Sequence, residues 1–217
     1  MRPTNNPDRQ SSGNSAAGSK IASLFICSCI RQPVPRSISS RRYFKGPMKT
    51  ASHVFIVMGV AGAGKTTLAA GLAARFGGAY LEGDDFHPAA NVEKMTRGEP
   101  LTEKDRAPWI DALADAVNKA SGNLVFASCS ALTPGVRRRL RESISCKTDF
   151  LFLDAPEEMI ARRLERRPGH FMKAGMLRSQ FRTLLRPQNA IVIDANLDQE
   201  DVIAAAAREV EARLGPQ

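Results

Sequence analysis

Residues 53–66 read HVFIVMGVAGAGKT, and this stretch decides the fold of the 217-residue chain. Its first eight residues form a nearly continuous apolar run, which is typical of a strand buried on both faces of a parallel sheet. The glycine-rich segment that follows leads into TTLAAGLAARF at residues 66–76, whose pattern indicates a helix ended by Gly77 and Gly78. A strand, a glycine-rich turn and a helix in this order predict an α/β fold.

Short apolar strands alternate with helical segments through the rest of the chain. Further strands are expected at 79–82, 124–128, 150–154 and 190–195, and further helices at 108–120, 156–167, 171–185 and 198–214. Pro108 is expected in the first turn of its helix, and Asp198 is expected to cap the last helix. Because strands that alternate with helices form parallel sheets, we predict a three-layer α/β fold with a parallel five-stranded sheet.

The segment from Gly59 to Thr66 fits the pattern G-x-x-x-x-G-K-[ST] of a phosphate-binding loop. Glycines let such a loop curl so that its backbone N–H groups point at phosphate oxygens, next to the positive end of the following helix. Lys65 is expected to reach the β- and γ-phosphates of ATP, and the Thr66 hydroxyl to bind Mg²⁺. The predicted nucleotide site comprises Gly59, Val60, Ala61, Gly62, Ala63, Gly64, Lys65, Thr66 and Thr67.

A second candidate site follows the second predicted strand, where the sequence reads EGDDFHP at residues 82–88. A carboxylate at the C-terminal edge of a parallel strand lies at the crevice where ligands bind, although Asp84 or Asp85 could instead cap the following turn. The third predicted strand ends in Ala-Ser-Cys at residues 127–129, without the carboxylate common there in nucleotide-binding proteins. We therefore predict that Asp84 acts as the base toward an attacking hydroxyl or as the partner of the metal.

Several short motifs occur in a fixed order from residue 53 to the C-terminus. They are GVAGAGKT at 59–66, GDDFHP at 83–88, NVEKM at 91–95, GEPL at 98–101, DRAPW at 105–109, CSAL at 129–132 and GHFM at 169–172, followed by SQ at 179–180. In these motifs the chain resembles the gluconate kinases of the thermoresistant gluconokinase family, which are small P-loop kinases. It departs from the family pattern at Thr133 and Val136, where the family has Lys and Tyr, and at Arg186.

The resemblance implies a nucleoside-monophosphate-kinase-like fold with a mobile lid at about residues 162–180. It implies that ATP and Mg²⁺ are used to phosphorylate the 6-hydroxyl group of D-gluconate, which would feed the pentose phosphate pathway, and that the protein forms a homodimer. Two other functions stay open. One is a different small-metabolite kinase, such as a shikimate-type kinase, although the third strand lacks the Gly-Gly-Gly segment of that family. The other is a catalytically weak nucleotide-binding regulatory protein, suggested by Thr133 and Val136.

The acceptor implied by the resemblance is an anion, so its pocket should contain a cation, ideally a guanidinium. Arg106 and Arg137 are the candidates, although Arg137 also opens a basic run at residues 137–139 that would be solvated on an exposed helix. His87 is predicted to bind a sugar hydroxyl, with a structural histidine before Pro88 as the alternative.

Residues 162–178 are dense in cations and are interrupted by Pro168 and Gly169. This pattern indicates a lid whose arginines stabilise transition-state charge and exclude water, with a solvated helix face as the alternative. Arg166 is the predicted catalytic arginine, alongside Lys65 and Asp84. His170 is predicted to contact the acceptor.

The basic character of the chain is concentrated at its start. Residues 1–47 contain eight basic side chains and one acidic side chain, a net charge of +7 out of the +9 of the whole chain. The remaining chain is nearly neutral, and aromatic residues make up only 6% of the sequence, so we expect no nucleic-acid partner. No apolar stretch approaches the roughly 20 residues of a membrane span. We therefore expect a cytoplasmic enzyme that does not insert into membranes.

Residues 1–47 are rich in Ser, Asn, Arg, Gly and Pro and show no sustained period. We interpret them as a disordered basic leader, a transit peptide, or upstream sequence included by a wrongly placed start. Met48 would be a natural start, so the predicted kinase domain spans residues 48–217.

A chain that begins at Met48 is expected to unfold at the same temperature as the full chain. The reason is that residues 1–47 lack a periodic apolar face with which to offset the entropy of ordering them. Thermal unfolding of both chains at equal salt tests this boundary. A shorter chain that is insoluble or melts at a lower temperature would show that the leader packs on the domain.

Overall fold

The computed structural model describes residues 51–165 and 174–216, so the predicted leader at residues 1–47 lies outside it. Within these residues five parallel strands form one sheet in the order β2-β3-β1-β4-β5. The strands are β1 His53–Met58, β2 Ala79–Glu82, β3 Leu124–Ser128, β4 Lys147–Asp154 and β5 Ile191–Asp194. The predicted parallel five-stranded sheet is confirmed.

Strand β1 lies at the centre of the sheet, and all six of its residues are buried. Its side chains alternate between two separate hydrophobic cores, one on each face. Phe55 and Val57 belong to one core, and Val54 and Ile56 belong to the other. A strand buried on both faces has no solvent-facing side, so polar and apolar residues do not alternate along it. This explains the unbroken apolar run in the sequence.

Helices cover both faces of the sheet. They are α1 Lys65–Phe76, α2 Ala89–Thr96, α3 Glu103–Lys119, α4 Pro134–Ser143, α5 Glu157–Glu165, α6 Ala174–Thr183 and α7 Gln199–Leu214. Helices α1, α5, α6 and α7 contribute to the core with Phe55, whereas α3 and α4 contribute to the core with Val54. The predicted three-layer arrangement is therefore confirmed. Among the helices in the described part of the chain, none combines the length and apolar character that a membrane crossing requires.

Helix α3 begins at Glu103, so the prediction that Pro108 lies in its first turn is wrong. The earlier start is fixed by a capping box, in which the Thr102 hydroxyl accepts from the Asp105 backbone N–H and the Asp105 carboxylate accepts from the Thr102 N–H. Pro108 is accommodated inside the helix.

Helices α2 and α4 were not predicted from the sequence. Helix α4 begins with Pro134 at its first position, and the Thr133 side chain accepts a hydrogen bond from the Val136 backbone N–H at 3.3 Å. Its buried face consists of Val136, Arg137 and Leu140, so it has too few apolar residues to show a helical period in the sequence.

Several polar groups lie at the C-terminal ends of the strands, along one edge of the sheet. The glycine-rich loop follows β1, Glu82 ends β2, Ser128 ends β3 and Asp154 ends β4. In open parallel sheets, ligands bind in the crevice at this edge.

Gly83 allows the ends of β2 and β3 to approach each other closely. A Cβ atom at this position would overlap the backbone carbonyl oxygen of Ser128. The Gly83 N–H donates to the Ser128 hydroxyl at 3.3 Å, and the Gly83 carbonyl accepts from the Trp109 indole at 2.7 Å. Gly83 therefore joins two strand ends and helix α3.

We expect Gly83→Ala to destabilise the fold by about 1–3 kcal/mol, the usual cost of overpacking a tight site. The matched control is Gly135→Ala, because a Cβ atom there would lie 3.3 Å from the end of the flexible Glu103 side chain. Alanine also favours the helix in which Gly135 lies. Chemical denaturation of both variants measures the difference. A Gly83→Ala protein as stable as the control would contradict this packing constraint.

Candidate active site

The glycine-rich loop, residues 59–66, is packed on one side and open on the other. Gly62 and Gly64 have φ angles of 82° and 98°, in the left-handed region that favours glycine. A Cβ atom at Gly62 would press on Ile160 and Leu164 of α5, whereas a Cβ atom at Gly64 would meet nothing within 4 Å. The loop is thus supported from below by α5 and leaves space in front of Gly64 for a ligand.

Helix α1 points its N-terminus at this space. The residue before it is Gly64, which offers no side-chain cap, so the first N–H groups of the helix are available to an anion. The Lys65 ammonium donates to the Val60 carbonyl at 3.1 Å and therefore lies over the loop. These features fit the phosphate groups of a nucleotide.

The Glu82 carboxylate contacts Thr66 and is bound by three hydroxyl groups. It accepts hydrogen bonds from Thr66 at 2.7 Å, from Tyr80 at 2.7 Å, and from Ser128. Burial alone would raise the pKa of Glu82, but the hydrogen bonds from Ser128, Tyr80 and Thr66 outweigh burial and lower the pKa. Glu82 is therefore a stable anion at neutral pH.

This contact orients the Thr66 hydroxyl. A hydroxyl has one hydrogen and two lone pairs, and the hydrogen is donated to Glu82. The lone pairs are left for a cation on the open side of the loop. Within residues 51–165 and 174–216, no group of three or more His, Cys, Asp or Glu side chains could hold a metal. The arrangement suits Mg²⁺, which binds few protein groups and completes its shell with water and phosphate oxygens.

Glu82 was not among the predicted site residues. The carboxylate common at the end of the third strand in nucleotide-binding proteins is missing here, where Ser128 stands. The structure shows that Ser128 instead binds the carboxylate of Glu82 from the neighbouring strand. The available signal in the sequence was that Glu82 stands at the end of a predicted strand, two positions before Asp84.

Asp84 lies in the turn after β2, close to Lys65, and is half-buried. Burial raises the pKa of Asp84, with Lys65 acting in the opposite direction and the neighbouring carboxylates of Glu82 and Asp85 adding to the increase. The pKa of Asp84 is therefore raised, whereas the pKa of Glu82, at the end of β2, is lowered.

His87 lies against Trp109, with ring centroids 4.1 Å apart, and its Nδ1 is 3.4 Å from the Asn91 amide nitrogen. Asn91 is buried and also donates to the Asp105 carbonyl at 2.7 Å. Burial lowers the pKa of His87 to about 4, so the ring is neutral at neutral pH. A neutral imidazole can exchange hydrogen bonds with hydroxyl groups but supplies no charge for an anion.

Arg106 lies on the first turns of α3, where its guanidinium donates to Glu103 at 2.7 Å. The Thr133 hydroxyl lies 3.5 Å from the same carboxylate oxygen. Arg106 and Thr133 therefore share one acidic neighbour, and Arg106 keeps further N–H groups for another partner.

Arg137 is 6% exposed, which contradicts the alternative that it lies in a solvated basic run. Its guanidinium donates to three backbone carbonyls: Ala131 at 2.8 Å, Leu132 at 3.1 Å and Leu185 at 3.0 Å. Ala131 has a φ of 42°, an unfavourable backbone conformation for alanine. The guanidinium therefore stabilises the loop after β3 and links it to the end of α6.

The positions that depart from the family pattern have structural contacts. Thr133 caps helix α4, and Val136 is buried in the core. Arg186 forms a bidentate pair with Asp154, with one N–O distance of 2.9 Å, and lies over the Phe152 ring. None of these substitutions alters the glycine-rich loop.

A cavity of about 250 Å³ adjoins the loop at Gly62, Ala63 and Gly64. Thr67, Arg163, Leu197 and Ile203 line it together with the loop glycines. Arg163 is oriented by a hydrogen bond to the Ala195 carbonyl at 2.8 Å. The planar guanidinium of Arg163 lies beside the aliphatic side chains of Leu197 and Ile203 in this lining. Such a surface suits the planar base of a nucleotide whose phosphates are bound by the loop.

The structure brings together most of the predicted site residues. Lys65, Thr66 and Asp84 lie at one edge of the sheet, with His87 on the following turn. Arg166 and His170 lie outside the described residues, so their predicted roles in the lid stay predictions.

Comparison with known proteins identifies one family model and a consistent group of relatives. Residues 54–187 match the model described as an AAA domain. The thermosensitive gluconokinase of Escherichia coli K12 is 41% identical over 158 residues, which cover 70% of this chain and 84% of that protein. The gluconokinase of Gluconobacter oxydans 621H is 47% identical over 136 residues, which cover 61% of this chain and 75% of that protein.

A solved structure agrees with these relatives. The crystal structure of a gluconokinase from Sinorhizobium meliloti 1021 superposes with a TM-score of 0.69 at 36% sequence identity. The match covers 76% of this chain and 95% of that structure. Similarity therefore extends over nearly the whole length of the relative.

Proposed function

This chain belongs to the gluconokinase family, and we propose that it transfers the γ-phosphoryl group of ATP to the 6-hydroxyl group of D-gluconate. One observation carries the proposal beyond the family assignment. Asp84, a half-buried carboxylate with a raised pKa, lies close to Lys65 beside a phosphate loop whose Thr66 is held by Glu82. A base, a phosphate-binding cation and a metal-binding hydroxyl are thus at one sheet edge.

The loop would hold the phosphates through its backbone N–H groups and Lys65, and Thr66 would hold Mg²⁺. ATP supplies the phosphoryl group, and Mg²⁺ neutralises its charge. Glu82 accepts a hydrogen bond from the Thr66 hydroxyl and adds a negative charge near the proposed metal position. Asp84 was predicted to be either the base or the partner of the metal. We propose that Glu82 acts on the metal side and that Asp84 acts as the base on the acceptor side.

Asp84 would accept the proton of the attacking hydroxyl. Its raised pKa makes it a stronger base than an exposed aspartate, while the charge of Lys65 favours its ionised form. The hydroxyl oxygen gains nucleophilicity as its proton moves to the Asp84 carboxylate. Neutral His87, stacked on Trp109, is placed to orient a second hydroxyl of the sugar acid.

The carboxylate of gluconate needs a cation on the acceptor side. Arg106 is our first choice, because its contact with Glu103 uses only part of its guanidinium. Arg137 is the weaker choice, since its guanidinium is directed at three backbone carbonyls. Arg166 and His170 complete the proposal as lid residues, with Arg166 next to the transferring phosphoryl group.

We also propose a homodimer and a cytoplasmic location, where ATP is available. The free thiols of Cys129 and Cys146 suit a reducing compartment. A weakly active regulatory protein is disfavoured by the intact arrangement of Lys65, Thr66 and Asp84.

The acceptor specificity is tested by ADP release with gluconate and a panel of related sugar acids and shikimate. We expect the highest kcat/KM with gluconate. Asp84→Asn should lower kcat by at least about tenfold, equal to about 1.4 kcal/mol, with little change in the KM for ATP.

Asp85→Asn is the matched control, because Asp85 is the exposed neighbour of Asp84 and should keep wild-type kcat. Equal losses in the two variants would refute the base assignment. A higher kcat/KM with another acid would refute the substrate.

A further inference from the structure

The side chain of Gln180 reaches the phosphate loop from helix α6. Its Oε1 accepts a hydrogen bond from the backbone N–H of Ala61 at 2.7 Å, between residues 119 positions apart. The mechanism proposed above does not use this contact. It joins α6, most of which falls within the predicted lid at about residues 162–180, to the loop that would hold ATP.

The contact fixes which end of the carboxamide faces the loop. A backbone N–H can only donate, so the oxygen of Gln180 must face Ala61 and the Nε2 group must point away. Within residues 51–165 and 174–216, no hydrogen-bond partner of Nε2 is found, and no buried side-chain nitrogen or oxygen lacks a partner. Among the described residues the Nε2 group is therefore neither buried nor bonded, and its two N–H donors lie next to the loop.

The position of Lys65 shows which end of the phosphate site this is. The N–H bound by Gln180 belongs to the Val60–Ala61 peptide unit, and the carbonyl of the same unit accepts from the Lys65 ammonium at 3.1 Å. The lysine of this loop type reaches the β- and γ-phosphates. The N–H and the carbonyl of a trans peptide unit point in opposite directions, so Gln180 lies across this unit from Lys65, at the part of the loop near which the β- and γ-phosphates would bind.

Helix α6 holds Gln180 firmly in this place. Leu177 is 4% exposed and lies in the same core as Ile160 and Leu164, the α5 residues that support the loop at Gly62. Beyond the helix, the Leu185 N–H donates to the Leu132 carbonyl at 3.0 Å. A side chain held by its own helix and by the loop has little entropy to lose when it binds a ligand.

We propose that Gln180 is a γ-phosphoryl-binding residue. The Ala61 N–H orients the carboxamide, and Nε2 donates to an oxygen of the γ-phosphoryl group. The inference rests on the proposed kinase function. Because ADP lacks this group, Gln180 would strengthen the binding of ATP and not that of ADP. Its N–H donors would face the phosphoryl oxygens that carry charge during transfer.

Two substitutions at Gln180 separate the acceptor from the donors. Gln180→Leu removes both, whereas Gln180→Glu keeps an oxygen for the Ala61 N–H but has no donor and adds a negative charge. Thr183→Val is the matched control, because the Thr183 hydroxyl bonds within α6 to the Ser179 carbonyl. The measurement is the Kd of ADP and of a non-hydrolysable ATP analogue, with Mg²⁺ and without gluconate, together with kcat for gluconate.

We expect both Gln180 variants to bind ADP nearly as wild type and to bind the ATP analogue at least about tenfold more weakly. Gln180→Glu should be no better than Gln180→Leu, and kcat should fall in both. Thr183→Val should match wild type in every measurement.

Equal weakening of ADP and analogue binding, with recovery in Gln180→Glu, would overturn the proposal and leave Gln180 as a cap of the loop. Unchanged analogue binding in both variants would overturn it too. If Gln180→Leu is unstable, Gln180→Glu alone decides, since it keeps the contact with Ala61. The nucleotide comparison holds even if wild type does not phosphorylate gluconate, a result that would refute only the proposed acceptor.

Discussion

The half-buried carboxylate of Glu82 makes the hydrogen bonds on which the site depends. An ionised group in a protein interior must be hydrogen-bonded, because losing its hydration is costly. Glu82 meets this requirement with hydroxyls from Thr66, Tyr80 and Ser128. These partners come from the start of α1, from β2 and from the end of β3. Stabilising one anion therefore fixes the phosphate loop relative to two strand ends.

The turn after β2 separates two carboxylates by their surroundings. Glu82 is surrounded by donors and its pKa is lowered, whereas burial raises the pKa of Asp84. Groups of one type with oppositely shifted pKa values can serve opposite purposes within a site. Only Gly83 lies between them in the chain, and its contact with Ser128 directs Glu82 under the loop. In the proposed mechanism, this arrangement leaves Asp84 on the acceptor side.

Much of the fold and part of the site could be predicted from sequence. The strands of a parallel sheet are short apolar runs, and the loop at residues 59–66 has a fixed glycine pattern. The contacts of Glu82 depend on strand order, because β3 must lie beside β2 for Ser128 to reach it. Arg137 was predicted to bind the substrate, with a solvated basic run as the alternative, and its burial against the carbonyls of Ala131, Leu132 and the distant Leu185 was not foreseen. Contacts of this kind are set by tertiary packing and leave no local pattern.

The dependence of activity on free Mg²⁺ in Glu82→Gln tests the account most directly. The amide keeps the shape of the side chain but loses the charge behind Thr66, and changes of this kind beside a metal ligand typically cost about 10–100-fold in metal affinity. We predict that the Mg²⁺ concentration for half-maximal rate rises by at least about tenfold, while Tyr80→Phe, which removes one hydroxyl and keeps the carboxylate, changes it far less. A folded Glu82→Gln protein with the Mg²⁺ dependence and kcat of wild type would contradict the account.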